Sequence, residues 1–164
     1  MDYLSKTGLT LCPQAVTLAA TGAATTIDST GTFSFTIKGV NYSHAAWSSQ
    51  ATPTTDIVTG DNFVRLGTSE GCAFVVGIDS GGTMRVSQGP IVALDPVDAF
   101  RTAPAFPPVP DTVCPVGYII VTAGNTAAAK AAGWLFGTSN FTGVTDVTAT
   151  FVDIATLPNR PQIA

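Results

Sequence analysis

Short segments in which apolar and polar residues alternate run through most of the chain and predict β-strands. The clearest covers residues 32–40, where Phe33, Phe35 and Ile37 alternate with polar residues. Successive side chains of a strand point to opposite faces, so this strand is expected to bury one face and expose the other. Similar segments recur between clusters of Gly, Pro and Thr, a pattern typical of an all-β fold.

A β-hairpin is predicted in the middle of the chain. Residues 73–78 and 83–88 are two alternating runs, and Asp-Ser-Gly-Gly at 79–82 separates them with residues that suit a tight turn. The first run is apolar on both faces. We therefore expect it to be a central strand or to lie at a subunit interface.

The rest of the chain predicts three more strands, one helix and one connector. The strands are at 91–94, 118–122 and 147–154. Asn125, an alanine-rich body and Gly133 predict a short helix near 125–132. Residues 104–115 are rich in proline, which favours an extended polyproline-like path outside the sheet ladder.

The domain organisation follows from these segments. Residues 1–31 alternate weakly and hold many small side chains, so we expect an extended N-terminal arm that gains order by lying on something else. Residues 32–164 are expected to form a single antiparallel β-sandwich or barrel-like domain.

Composition excludes some functions. A mean hydropathy of +0.34 excludes disorder, while charged residues make up only 11% of the 164 residues, against roughly 25% in ordinary domains. The net charge is −4 and the basic residues are scattered, which argues against nucleic acid or an anionic membrane as a partner. The apolar stretch 9–27 contains Pro13 and several threonines, and is expected to be neither a signal sequence nor a membrane span.

The chain offers few groups for metal or cofactor chemistry. Cys12, Cys72 and Cys114 match no metal or redox spacing, and we interpret them as reduced thiols of a protein that folds in the cytosol. One His and one Glu are too few for a zinc site, and no phosphate-binding glycine motif is present. We predict no metal and no cofactor.

One enzymatic alternative stays open. Asp79-Ser80-Gly81-Gly82 resembles the nucleophile loop of chymotrypsin-like serine proteases, and His44 followed by Asp56 or Asp61 would complete the family order of the triad. However, Ile78 stands where that family has glycine, and the chain is short for two barrels. A hairpin turn explains the motif better, and no catalytic residues are predicted.

Two aromatic groups could bind a partner. Tyr42 with Trp47, and Trp134 with Phe136 and Phe141, lie among Gly and Ser residues. Such rings stack on sugars, pack at protein interfaces or belong to an ordinary core, and the sequence leaves these alternatives open.

A resemblance to a known family rests on an ordered series of segments. The series begins with the strand from Phe33 to Gly39 and Tyr42, and continues with the Gly-rich hairpin ending in Ser87-Gln88-Gly89. Pro104-Ala105-Phe106-Pro107, Pro115-Val116-Gly117-Tyr118 and the C-terminal Leu157-Pro158-Asn159-Arg160-Pro161 complete it. It resembles the small capsid cement and head-fibre proteins of tailed bacteriophages.

This resemblance implies a β-rich homotrimer on the outside of a virion that clamps neighbouring subunits of the major capsid protein. It implies no catalysis and no cofactor. It also implies that the protein is made in the host cytoplasm. We expect Trp134 and Phe136 to pack in the trimer. An extended tail containing Leu157, Pro158, Arg160 and Pro161 is expected to dock on a neighbour. The alternative is a trimeric receptor-binding or glycan-binding fibre module that uses Trp47 or Trp134.

Overall fold

The structure, a computed structural model, describes residues 16–125 and 133–153, and every regular element in these ranges is a β-strand. The strands are β1 Leu18–Ala20, β2 Thr26–Ser29, β3 Phe33–Ile37, β4 Val40–His44, β5 Gln50–Ala51, β6 Glu70–Asp79, β7 Met84–Gln88, β8 Val92–Ala93, β9 Val113–Ala123 and β10 Val147–Asp153. All pairings between the described strands are antiparallel, and none of the three sheets that they form closes into a barrel. This all-β fold was predicted and is consistent with a β-sandwich.

A five-stranded sheet organises the chain. Its order is β10-β9-β6-β7, and β8 also pairs with β6. The predicted hairpin is confirmed, because β6 pairs with β7 from Phe74↔Gln88 to Ile78↔Met84. The prediction that the first strand is central is also confirmed, since β6 lies between β7 and β9 and is buried from Gly71 to Ile78.

Strand β9 begins earlier than the sequence predicts. Residues Val113, Cys114 and Pro115 were assigned to the proline-rich connector, but they form the first part of β9. Pro115 lies opposite Gly77, next to a register shift between Val76 and Gly77. Proline is tolerated in a sheet at such an irregularity, where the ladder hydrogen bond is already interrupted.

The first face of the five-stranded sheet packs on the main core. The β3–β4 hairpin contributes Phe33, Phe35 and Ile37, which are buried in the predicted alternation. The small sheet β1-β2-β5 adds further apolar side chains to the same core.

Part of the predicted N-terminal arm belongs to this fold. Residues 16–31 contain β1 and β2, and Val16, Leu18 and Ile27 are buried in the core. Small side chains made the alternation look weak, yet these three apolar residues suffice to anchor the hairpin. Residues 1–15 and most of the predicted helix at 125–132 lie outside the described residues.

The second face of the sheet is covered by the chain between β8 and β9, here named the strap (residues 99–112). Val75, Tyr118 and Ile120 of the sheet pack against Phe100, Phe106 and Val109 of the strap. The rings of Phe106 and Tyr118 meet edge to face, with centroids 4.9 Å apart. Residues 104–110 run outside any strand, as predicted, and residues 111–112 form a turn that leads into β9. The strap supplies the second layer.

The edge of the sheet fixes the position of the strap. Ser87 Oγ donates a hydrogen bond of 3.0 Å to the Pro108 carbonyl. At Gly89, a β-carbon would lie 2.6 Å from the Ala105 carbonyl oxygen and 2.8 Å from that of Ala73. Only glycine therefore allows the strap to approach the sheet this closely. The described ranges contain no helix long and apolar enough to span a membrane.

Candidate functional site

The two aromatic residues predicted to pack in a trimer lie in the core of the single chain. Trp134 is 0% exposed and Phe136 is 1% exposed. Trp134 Nε1 donates a hydrogen bond of 2.9 Å to the Asn140 carbonyl, and the Phe136 ring lies 4.7 Å from that of Phe74. In this conformation neither side chain has surface to offer to another chain. Of the three roles that the sequence leaves open for these rings, both occupy positions in an ordinary core.

The four tail residues of the same prediction lie outside the described residues. They are Leu157, Pro158, Arg160 and Pro161. Their docking on a neighbour stays a prediction.

The aromatic residues considered for sugar stacking are also part of the core. The Trp47 ring is 2% exposed, lies 4.4 Å from that of Phe33, and directs its Nε1 at the Gly82 carbonyl. Tyr42 is partly buried and stacks on Phe35. Neither tryptophan presents a flat face to a ligand.

The residues of the protease alternative are only partly brought together. The imidazole of His44 lies over Gly82, whose φ of 82° and contact with that ring exclude any larger residue. His44 thus lies beside the Asp-Ser-Gly-Gly turn. Within residues 16–125 and 133–153, its ring nitrogen is hydrogen-bonded to the Ala45 carbonyl, and no carboxylate or Ser80 hydroxyl is bonded to it.

Most carboxylates hold the backbone in place. Six of them accept hydrogen bonds from main-chain N–H groups: Asp28, Asp56, Glu70, Asp79, Asp95 and Asp153. Such side chains fix turns and loop ends. The part of the chain that the structure describes contains no group of three or more His, Cys, Asp or Glu side chains arranged to hold a metal ion.

Asp79 shows how such a carboxylate acts. Its Oδ1 accepts hydrogen bonds of 2.9 Å from the N–H groups of Gly81 and Thr83, and its Oδ2 accepts one of 2.9 Å from Arg85 Nε. Burial raises the pKa of Asp79, but these hydrogen bonds outweigh burial and hold the pKa below its ordinary value. The Asp-Ser-Gly-Gly motif is therefore the turn of a hairpin whose first residue organises it.

Asp28 is a second carboxylate of this kind. The hydrogen bond from the Ser49 N–H is the main cause that lowers its pKa. It ties β2 to the start of β5.

Asp56 closes one edge of the five-stranded sheet. Its Oδ1 accepts hydrogen bonds from the N–H groups of Val58 and Thr59, and its Oδ2 accepts one of 2.6 Å from the N–H of Gln88 in β7. The N–H of Ile57 donates to the Val86 carbonyl. The loop thus occupies backbone groups that a further strand would use. Sequence reasoning missed this role, because Asp56 and Gln88 are far apart in the chain.

The opposite edge is formed by β10. Among the described residues no strand pairs with its outer side. β10 has the sequence Val-Thr-Ala-Thr-Phe-Val-Asp, and none of its residues is fully buried. It lacks the lysine, proline or bulge with which proteins commonly protect an edge strand.

A groove of about 290 Å³ lies beside this edge on the second face of the sheet. Thr122 of β9 and Thr148 and Thr150 of β10 form its floor, and residues 97–100 form its wall. Val97 in that wall is 80% exposed. The strap covers the neighbouring part of the face but leaves these threonines accessible.

Two cysteines are described, Cys72 and Cys114, and both side chains are buried. Burial raises the pKa of Cys72 to about 12. Such a thiol is a small core residue rather than a nucleophile or a metal ligand.

Comparison of the chain with family models, with curated proteins and with solved structures gives no match.

Proposed function

We propose that the chain is a structural protein of a phage virion, a capsid cement protein that trimerises on the outer shell and stabilises contacts between major capsid protein subunits. The observation that carries the proposal is the scarcity of charge on a large surface. The chain has 7 basic and 11 acidic residues and an accessible surface of 8111 Å². A surface with so little charge suits a protein that works while covered by other subunits.

The way in which the charged residues are used strengthens this argument. Carboxylates such as Asp56, Asp79 and Asp153 accept backbone hydrogen bonds and so stabilise this fold. Lys38 pairs with Asp111 at 3.0 Å, and Arg85 pairs with Asp79. The small supply of charged groups thus serves mainly to hold this fold, which agrees with a surface that is covered in the working state.

The ordered series of segments supports the specific assignment. Its members that are described lie in or beside β3, β4, β6, β7, the strap and β9, which are the elements that build the sheet and its two covering layers. The resemblance to cement and head-fibre proteins therefore concerns the folded body of the chain. In this proposal the protein is made in the host cytoplasm, and the buried free thiol of Cys72 agrees with folding in a reducing compartment.

The fibre-module alternative receives no comparable support. It assigned glycan stacking to Trp47 or Trp134, and both rings are buried in the core. A glycan array with the purified protein tests it directly, and strong binding to one class of sugar would favour it over the cement role.

Static light scattering of the purified chain tests the trimer. The expected mass is three times that of the 16.7 kDa chain at micromolar concentration. A monomer under these conditions would contradict the proposal.

Co-expression with a major capsid protein tests the cement role. The expected result is co-sedimentation with the assembled shells and a higher temperature of shell disruption. If the chain forms a trimer that does not bind the shells, the cement function is wrong and the trimer still holds.

A further inference from the structure

We propose that the outer side of β10 and its adjoining groove bind an extended segment of a neighbouring copy, residues 9–12 of its N-terminus. This inference rests on the proposed trimer, for which it names the joining contact. Binding of a strand to a free sheet edge combines main-chain hydrogen bonds with pockets for alternate side chains. β10 offers the main-chain hydrogen bonds, and the groove beside it offers the pocket for side chains.

The two edges of the sheet are not equivalent. At β7, Asp56 and Ile57 already bond to Gln88 and Val86. At β10, no described residue pairs with the outer side over the seven residues from Val147 to Asp153. A strand added to this sheet therefore has to be added at β10.

The symmetry of a trimer narrows the choice of occupant. Two β10 edges that pair with each other form an isologous contact, which closes a dimer. A three-fold arrangement needs β10 of one copy to meet a different segment of the next. The strap is not available, because it covers the sheet of its own chain through Phe106 and Val109.

The N-terminal segment has the required length and starting point. Fifteen residues precede Val16, and an extended chain of that length reaches about 50 Å. The N–H of Leu18 donates a hydrogen bond of 2.7 Å to Asp153 Oδ1, so the segment departs beside the last residue of β10. Copies that bring their β10 edges together around an axis thereby bring each N-terminus to the next β10.

The sequence of the segment suits the groove. Leu9 and Leu11 alternate with Thr10 and Cys12. In a strand the two leucines share one side, and the groove offers that side the apolar residues Val97, Phe100 and Ile120 beside its threonines. The segment contains no charged residue between Leu9 and Cys12, so it brings no ion of its own into the groove, whose lining contains one carboxylate, that of Asp98.

Cysteine cross-linking tests this contact in the full-length chain. The variant carries Leu11→Cys and Thr150→Cys in a Cys12→Ser background, since Cys72 and Cys114 are buried. A short bismaleimide is expected to shift the chain on a denaturing gel from one-chain to three-chain mass. The matched control replaces Thr150→Cys with Ser34→Cys, an exposed position on β3, and is expected to stay at one-chain mass.

The possible outcomes separate this inference from the proposed function. Light scattering that gives a trimer, together with no cross-link, would overturn the contact and leave the trimer intact. A cross-link within one chain would show that the segment covers its own β10 and would also overturn the contact. A cross-linked dimer of the Thr150→Cys variant without Leu11→Cys would instead show β10 pairing with β10.

A second variant checks that the leucines stabilise the trimer. Leu9→Ser with Leu11→Ser is expected to shift the mass from trimer to monomer at micromolar concentration. Thr10→Ser is the control and is expected to stay trimeric. A stable trimer of the double variant would contradict the proposed contact.

Discussion

Asp56 Oδ2 accepts a hydrogen bond of 2.6 Å from the backbone N–H of Gln88. A side chain from a loop thus takes the position of a neighbouring strand at the edge of the five-stranded sheet. Because this edge is closed and no described strand pairs with the outer side of β10 at the other edge, a further strand can be added to the described sheet only at β10. The proposed contact between β10 and the N-terminal segment of a neighbouring copy depends on this asymmetry.

Asp56→Asn is expected to destabilise the chain by about 1–2 kcal/mol, since an amide nitrogen turned towards the Gln88 N–H cannot accept its hydrogen bond. Urea denaturation measures the change. Asp61→Asn is the control, because Asp61 is exposed in the same loop, and its denaturation midpoint is expected to stay the same. Equal midpoints for both variants would show that Asp56 does not hold the loop on β7.

Phe136→Leu is expected to lower the free energy of unfolding by about 1–3 kcal/mol, because the ring is buried among Phe63, Phe74 and Phe141. Val64→Ala at an exposed position is the control and is expected to change stability by less than about 0.5 kcal/mol. If Phe136→Leu instead dissociated the trimer without lowering the stability of the chain, the sequence-based assignment of Phe136 to the interface would hold.

Phe106→Ala is expected to release the strap from the sheet. The loss of its contact with Tyr118 should cost about 2–4 kcal/mol and expose residues 99–112 to proteases. Limited proteolysis followed by mass spectrometry locates the cleavage. The control Val40→Ala lies at an exposed position of another hairpin, and strap cleavage as slow as in this control would argue against the packing described.

The lowered pKa of Asp79 leads us to expect that the folded chain loses stability in acid. Its pKa is lower in the folded chain than in the unfolded chain, so the stabilisation is complete above the unfolded value of about 3.9 and is lost as the pH falls through the folded value. Asp79→Asn removes this dependence. Denaturation midpoints at pH 7 and pH 3 should therefore differ less for the variant than for the wild type.

Asp98→Asn serves as the control for Asp79. Asp98 is exposed, and its carboxylate accepts no hydrogen bond from the described residues. Its φ of 61° is also one that asparagine tolerates. The variant is expected to keep the wild-type difference between pH 7 and pH 3. If Asp79→Asn kept it too, other groups would account for the acid sensitivity.

Cys72 is expected to resist thiol reagents in the folded chain. A pKa of about 12 leaves about one thiolate in ten thousand at pH 8, and the side chain is fully buried. In the Cys12→Ser variant we expect Cys72 to stay unlabelled in the native protein and to be labelled in urea. Rapid native labelling at Cys72 would contradict the buried position.

The sequence predicted the elements whose pattern is local. The alternation of Phe33, Phe35 and Ile37 fixed a face of β3, and Asp79 to Gly82 marked the hairpin turn. Contacts between distant segments were not predictable in this way. No residue near Asp56 in the sequence indicates that it binds Gln88. Likewise, the proline-rich segment does not indicate which face of the five-stranded sheet it covers.

Two element boundaries in the structure differ from the predicted ones, and each difference has a physical reason. Pro115 was assigned to a connector because proline interrupts a ladder, but the register shift beside Gly77 gives it a place in β9. Residues 16–31 were assigned to an arm because small residues obscure alternation, but Leu18 and Ile27 are deeply buried. The candidate interface was the least predictable part, since large aromatic residues such as Trp134 serve a core and an interface equally well.

Cryo-microscopy of shells assembled together with this chain tests the central claim most directly. The account predicts density for three copies at three-fold or quasi-three-fold positions on the outer surface. Each copy should have β10 directed towards the axis and contacts with adjacent capsid subunits. Bare shells, or density for a single isolated copy, would contradict it.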